Sequence, residues 1–234
     1  MKRFLVLLPI ALLLLSSCHS IIGSGNIISQ NRETGKFSKI SVSAGIDVEL
    51  SQGTTTEVNV EADDNVIRFI SADVSGDELT IGLNGHYSFS NCHMKVYVTS
   101  PMISGIRTSG GSQVNIKGVL KSDNSISCKA SNGSTIEGEF DAPDVSASAS
   151  GGATVEISGR TKNLNVSASN GSSVKAEDLR SENVTVEASG GATANVQASY
   201  NIDAKAHNGA SINYYGEAAV VKKVSGGGSV EKRD

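Results

Sequence analysis

The sequence predicts an all-β fold, a parallel β-helix with laps of 18–22 residues, preceded by an irregular strand-rich region. Three observations predict it. Short Val, Ile and Thr alternations bounded by Gly, Asn and Ser recur along the chain, which is the pattern of strands and turns. Glycine is abundant (25 of 234 residues), proline is scarce (3), and long amphipathic helical stripes are missing. One six-residue motif returns seven times after Thr108 at near-constant spacing.

The first element, residues 1–17, has the form of a lipoprotein signal peptide. Lys2 and Arg3 make its positive start, and Phe4 to Leu15 make an apolar stretch too short to span a bilayer as a helix. Leu15-Ser16-Ser17-Cys18 follows, with a thiol placed to take a diacylglyceryl group, so Cys18 is the expected lipidation residue. Acyl chains at about 0.8 kcal/mol per buried methylene would anchor the protein to the membrane without a transmembrane helix. Removing Lys2 and Arg3 moves the formal charge from −4 to −6. That balance, with no basic patch, argues against nucleic acid as a partner.

Residues 18–36 are expected to be a lipidated tether and first strand, with 19–26 as the tether itself. From 37 to 100 the alternation continues irregularly: Ile40 and Val42; Ile46, Val48 and Leu50; Val58 and Val60; Leu79, Ile81 and Leu83; Met94, Val96 and Val98. Turn signals at Ser43-Ala44-Gly45, Gln52-Gly53 and Ser75-Gly76-Asp77 separate these strands, and no repeat is visible among them.

The character changes at Pro101, and residues 101–230 read as repeats, with 231–234 as a tail. The motif is Ser-(Gly or Asn)-Gly-(Ser or Ala)-polar-apolar, as in Ser131-Asn132-Gly133-Ser134-Thr135-Ile136, with His207 replacing the Ser once. Its second glycine falls at Gly111, Gly133, Gly152, Gly171, Gly191, Gly209 and Gly227. The Gly-Gly or Asn-Gly pair supplies positive-φ positions for a sharp turn. Apolar alternation flanks it, for example Leu164, Val166 and Ala168 before and Val174 and Ala176 after. A looser corner, such as Ser158-Gly159-Arg160-Thr161, is expected between the two strands. An antiparallel meander with Asn-Gly hairpins would also use such turns. The same turn returning after two strands, with the same apolar registers, is explained more simply by stacked laps. Six to seven laps would make a rod roughly 30 Å long at the usual strand spacing.

Alignment of the laps puts Cys128 in the inward column of Ala147, Val166, Val186 and Ala204, as a small buried hydrophobe rather than a ligand or half of a disulfide with Cys92. The first turn position alternates: Gly110, Asn132, Gly151, Asn170, Gly190, Asn208, Gly226. Duplication of a two-lap unit accounts for that, and a patterned binding ridge is the functional alternative.

No catalytic residue and no metal or cofactor site is expected. The turns carry no recurrent Asp for calcium, and no helix or lysine follows the glycines to cradle a phosphate. His19, His86, His93 and His207 are scattered, and the adjacent Cys92-His93 would face opposite ways in a strand. Glu137, Glu156, Lys175 and Asn195 form one outward column, in which two carboxylates one lap apart resemble a glycosidase pair only by spacing. Exposed aromatics for sugar stacking are few: Tyr87, Tyr200 and Tyr215. A Ser/Thr/Asn surface could still bind protein or glycan through many weak contacts.

Phe37-Ser-Lys-Ile-Ser-Val-Ser-Ala-Gly-Ile-Asp-Val-Glu-Leu50, Asp77-Glu-Leu-Thr-Ile81, Val96-Tyr-Val-Thr-Ser-Pro101 and Ile106-Arg-Thr-Ser-Gly-Gly-Ser-Gln-Val114 together resemble the autotransporter adhesin head GIN domain family of Bacteroidetes-type lipoproteins. The resemblance covers nearly all of the mature chain. It implies a β-helical fold and carries over no catalytic residue. With no translocator barrel after Asp234, a lipoprotein rather than an autotransporter is expected. The expected function is a lipid-anchored, non-enzymatic binding or adhesion module of the outer membrane, facing either side. Surface protein or glycan are the expected partners, and open end laps could stack into homo-oligomers. The alternatives are a periplasm-facing structural or envelope-stress protein and, last, a polysaccharide-active enzyme.

Overall fold

The computed structural model describes residues 20–85 and 87–234. The expected signal peptide at residues 1–17, the expected lipidation residue Cys18, and His19 and His86 lie outside the described residues. The strands are, in order, β1 (Ser20–Ile22), β2 (Ile27–Arg32), β3 (Lys39–Val42), β4 (Asp47–Gln52) and β5 (Glu57–Asp63), then a 3-10 turn (Ile67–Phe69). β6 (Ile70–Ser75), β7 (Glu78–Leu83), β8 (Ser88–Ser90), β9 (Met94–Ser100) and β10 (Gly105–Thr108) follow. The remainder are β11 (Gln113–Lys121), β12 (Ile126–Ser131), β13 (Thr135–Ser150), β14 (Thr154–Ser169), β15 (Ser173–Ser189), β16 (Thr193–His207), β17 (Ser211–Tyr215), β18 (Ala219–Val224) and β19 (Ser229–Lys232).

These strands form a parallel β-solenoid. From β10 onward every pairing between laps is parallel, and the strands that lead into the tight turn stay in register, for instance Val145↔Leu164, Ala147↔Val166 and Ala149↔Ala168 between β13 and β14. The hairpin alternative fails on that point, because the strands flanking each turn pair with the laps above and below. The turn itself is a type I′ turn, with positive φ at both centres (Asn132 52°, Gly133 71°) and a bond from Ser134 N–H to Ser131 O. The seven turn glycines all have φ between 68° and 76°.

The opening region is less irregular than its sequence. β3 pairs in parallel with β10, and β4 with β11, through Ile40↔Ile106 and Val48↔Val114. Between β3 and β4 lies the same turn, with Ala44 at φ 67° and Gly45 at φ 73°. One level further out, β7 pairs with β3 and β9 with β4, again in parallel. The solenoid therefore begins well before Pro101. Its regularity is hidden because the chain between β4 and β10 makes the first level and the cap before returning to the stack. That cap is antiparallel: β5 closes on β9, β2 closes on β5, and β6 closes on β7. A solenoid needs such a terminal closure to keep its end strands from pairing with other chains.

The expected tether is not free either. β1 pairs with β8, and Ser24 to Asn26 are held by Asp63 and Asp64. Asp63 is buried, and its two carboxylate oxygens accept the N–H groups of Gly25 (2.6 Å) and His93 (2.7 Å). Ser24 and Asn26 donate to Asp64, holding that carboxyl below its ordinary range. At the other end β19 runs to Lys232, so the last lap takes in part of the expected tail.

The core is a set of inward columns of small aliphatic residues. Cys128 sits at zero exposure in register with Ala147, and that column continues through Val166, Val186 and Ala204. Burial pushes its thiol pKa up to about 12. Cys92 and Cys128 are both free thiols.

Candidate functional site

The second corner of each lap is a third wall rather than a loop. β13 to β16 run unbroken from the wall after the tight turn, around this corner, into the wall before the next turn. The bend is made at positions such as Gly159 (φ 107°) and Gly118 (φ 74°) and by register shifts between Glu156 and Gly159 and between Ala176 and Ser181. Inward on this wall, Leu120, Phe140, Gly159 and Leu179 are stacked in register. Phe140 is completely buried, and the lap above it contributes no side chain at the matching position.

Outward on the same wall the register stacks Lys121, Asp141, Arg160 and Arg180. Arg160 donates through Nε (2.8 Å) and Nη2 (2.7 Å) to the two oxygens of Asp141, a bidentate pair that fixes the guanidinium plane. Arg160, with Lys121 behind it, holds the Asp141 carboxyl below its ordinary range, and Asp141 raises Arg160 in return. Arg180 and Lys162 are exposed and make no ion pair among the described residues. The arginines flank a groove of about 740 Å³ whose floor includes Ala142, Pro143 and Ala198, and a second groove of about 510 Å³ opens on their other side. The larger groove carries three cations, Arg160, Lys162 and Arg180, and three carboxylates, Asp141, Glu182 and Glu217, so it presents mixed charge beside a shallow apolar floor.

On the wall after the turn, Glu137, Glu156, Lys175 and Asn195 form one column in register. Lys175 Nζ donates to Glu156 at 2.9 Å, and Glu156 raises the lysine above its ordinary range. Asparagine ladders add rigidity. Asn201, Asn183 and Asn163 each donate to the side chain one lap below, ending on Asp144 at 2.8 Å. A second ladder runs from Arg233 through Asn213 and Asn195 to Glu177. His93 pairs with Glu61 (2.8 Å), while His207, in line with Ser189, lies 3.9 Å from Glu187. Among the described residues, His93 and His207 pair with different glutamates and share no cluster.

A protein-family model described as "Putative auto-transporter adhesin, head GIN domain" matches residues 36–218. The chain belongs to that family. Solved structures share the fold over the whole of their own length. A protein described as a putative adhesin from Bacteroides fragilis is 23% identical, with a TM-score of 0.84 over 91% of this chain. One from Parabacteroides merdae, also described as a putative adhesin, is 19% identical, with a TM-score of 0.75 over 92% of this chain. A protein from Parabacteroides distasonis described as a putative lipid binding protein is 18% identical, with a TM-score of 0.71 over 92%. No curated protein matches the chain.

In this GIN-domain chain the seven turn glycines stand along one edge of the stack, and the column that flanks the groove follows them by eight to ten residues. Sequence reading missed that column because its distance from the turn glycine varies: eight residues for Asp141 and Arg160 (141 − 133, 160 − 152), nine for Arg180 (180 − 171) and ten for Lys121 (121 − 111). The bulges absorb the difference, so a fixed-period alignment of the GIN laps never puts these four residues in one line.

Proposed function

We propose that this GIN-domain chain is a non-enzymatic binding or adhesion module of the outer membrane, anchored through acyl chains on Cys18. Supporting it is the solvent-open groove beside the Arg160 and Arg180 column on a rigid stack of laps. A surface protein or glycan is the partner we propose, with Arg180 and Lys162, which make no ion pair among the described residues, as the cations open to it and Arg160 held in place by Asp141. Weak individual contacts gain strength when many anchored copies act on one partner.

The test is protease shaving of intact and lysed cells, followed by a binding screen of surface proteins and acidic glycans against wild type and the Arg160→Ala/Arg180→Ala double variant. Loss of the protein from intact cells, with binding reduced at least about tenfold in the double variant, is the expected result, matching about 1.4 kcal/mol of lost contact. Protection until lysis would place the rod in the periplasm and end the adhesin reading. Equal binding by the double variant would move the site off this wall.

A further inference from the structure

Aromatic residues are scarce, with five Phe, five Tyr and no Trp in the chain, yet three of them meet at the capped end. The rings of Phe69, Tyr87 and Phe89 lie 4.9 to 6.4 Å apart at inclined angles. Tyr87 is 46% exposed, and Phe69 and Phe89 are half-buried, so the cluster faces outward. Arg68 stacks on the Phe69 ring at 4.9 Å from its centre. The cluster is fixed to the body: Asn84 N–H donates to Phe69 O at 2.7 Å, and Arg32 donates to Ile67 O at 3.1 Å beside it.

Its place in the fold is specific. β7 and β9 stack on β3 and β4, so the segment joining β7 to β9 takes the place of the tight turn at the first level. That segment carries β8, and β8 pairs with β1 through Ile21↔Phe89. Ile21 therefore shares a ribbon face with Phe89, and Ile22, on the opposite face, is 64% exposed. The first residue of β1, Ser20, is two residues from Cys18, and two residues reach at most about 7 Å. Any acyl chain on Cys18 is thus tied to this corner of the cap. Asp63 and Asp64 hold the following turn, so the leash has no slack on its other side.

We propose that the aromatic cluster with the β1–β8 ribbon is a bilayer-contact surface, which seats the capped end on the membrane and fixes the direction in which the rod projects. The inference rests on Cys18 being acylated. Tyr and Phe rings with a neighbouring arginine match the interface zone, where apolar ring faces meet acyl chains and polar groups meet phosphates. The acyl chains supply retention and the cluster supplies orientation.

The chain has no tryptophan, so a single Tyr87→Trp change makes a reporter. The full processed protein is reconstituted in phosphatidylethanolamine and phosphatidylglycerol vesicles with lipid brominated high on the acyl chain. Tyr200→Trp, at a residue 71% exposed on β16, is the control. Emission of the Tyr87→Trp variant should shift to shorter wavelength and be quenched by the brominated lipid, while that of the Tyr200→Trp variant should not. Intact mass of the same sample reads acylation separately. Acyl mass with the cap reporter unquenched, or with both reporters quenched equally, overturns the docking. Quenching of the cap reporter alone without acyl mass keeps the docking surface and removes the Cys18 anchor. Neither signal overturns both.

Discussion

At the residue scale, the alternation of Gly and Asn at the first turn position has a steric cause. Asn132, Asn170 and Asn208 adopt φ between 52° and 55°, which Asn tolerates better than other side-chain-bearing residues. Each holds its Oδ1 in tight contact with the place a Cβ on the next lap's glycine would take: 3.2 Å from a Cβ at Gly151, 3.2 Å from one at Gly190 and 3.0 Å from one at Gly226. A glycine after each Asn lap spares the asparagine side chain from shifting, whatever duplication produced the pattern. Gly190→Asn should lower stability by about 1–3 kcal/mol through strain and crowding, whereas Asn170→Gly should cost under about 1 kcal/mol. Chemical denaturation of the two variants checks this, and equal losses would remove the steric account. At Gly152 nothing crowds a Cβ, so Gly152→Val should destabilise through its φ of 73° alone. Cys128 offers a different test. Its folded thiol pKa is raised to about 12, so its contribution is complete below the unfolded value of about 8.5 and lost as pH climbs through the window toward 12. Cys128→Ala should remove that alkaline decline at small cost, since Ala147 fills the same column, while Cys128→Ser buries a hydroxyl and should cost about 1–3 kcal/mol. Unfolding titrations at pH 7 and pH 10 separate the two.

At the element scale, the continuous third wall depends on Gly159. A Cβ there would collide with the backbone oxygen of Phe140, a group that cannot swing away, and its φ of 107° disfavours any side chain. Gly159→Ala should therefore cost more than Gly152→Val, about 3 kcal/mol or more, or prevent folding. Phe140→Leu keeps the corner backbone and loses only buried ring volume, so it should fold with a loss of about 1–2 kcal/mol. If Gly159→Ala melted with wild type, the corner would not be backbone-limited. The same corner shows what the sequence disclosed and what it did not. The turn glycines from Gly111 to Gly227 were legible because one local geometry demands one residue type at a near-fixed period. The inward column through Cys128 followed from them, because the walls flanking the turn have no bulges. The Arg160 and Arg180 column was not legible, because bulges at the third wall slide its residues by two positions between Lys121 and Asp141 and by one between Arg160 and Arg180. The laps formed by β3–β4 and β7–β9 were hidden for another reason. Gly45 and Gly111 occupy the same turn position in adjoining laps, but 66 residues of first-level and cap strands separate them (111 − 45).

At the scale of the whole molecule, the rod is unlike at its two ends. On the wall that follows the turn, parallel levels run from β9 through β4, β11 and β13 to β16 and on to β17 and β19. Eight steps at about 4.8 Å give roughly 38 Å, longer than the repeats alone imply, because the opening region adds levels. The β9 end is closed by antiparallel strands, with Val58, Val60 and Ala62 of β5 buried. The other end leaves β18 and β19 as outer strands, with Val221 60% and Val224 51% exposed. Stability in such a stack is a sum of lap and neighbour terms, so a lap with one neighbour opens more easily than one with two. Amide exchange should be fastest in β18 and β19 and slowest in β13 to β15, with central protection at least about 100-fold greater, equivalent to about 2.8 kcal/mol. The cap should exchange slowly despite being terminal, because Asp63 ties β5 to both the entering chain and His93. Asp63→Asn should speed exchange in the cap and leave β18 and β19 unchanged. Protection of the last lap that rises with protein concentration would mean that a second copy covers it, making the open end an assembly surface. Uniform protection along the rod would contradict the stacked-lap account itself, since it requires the laps to open as one unit.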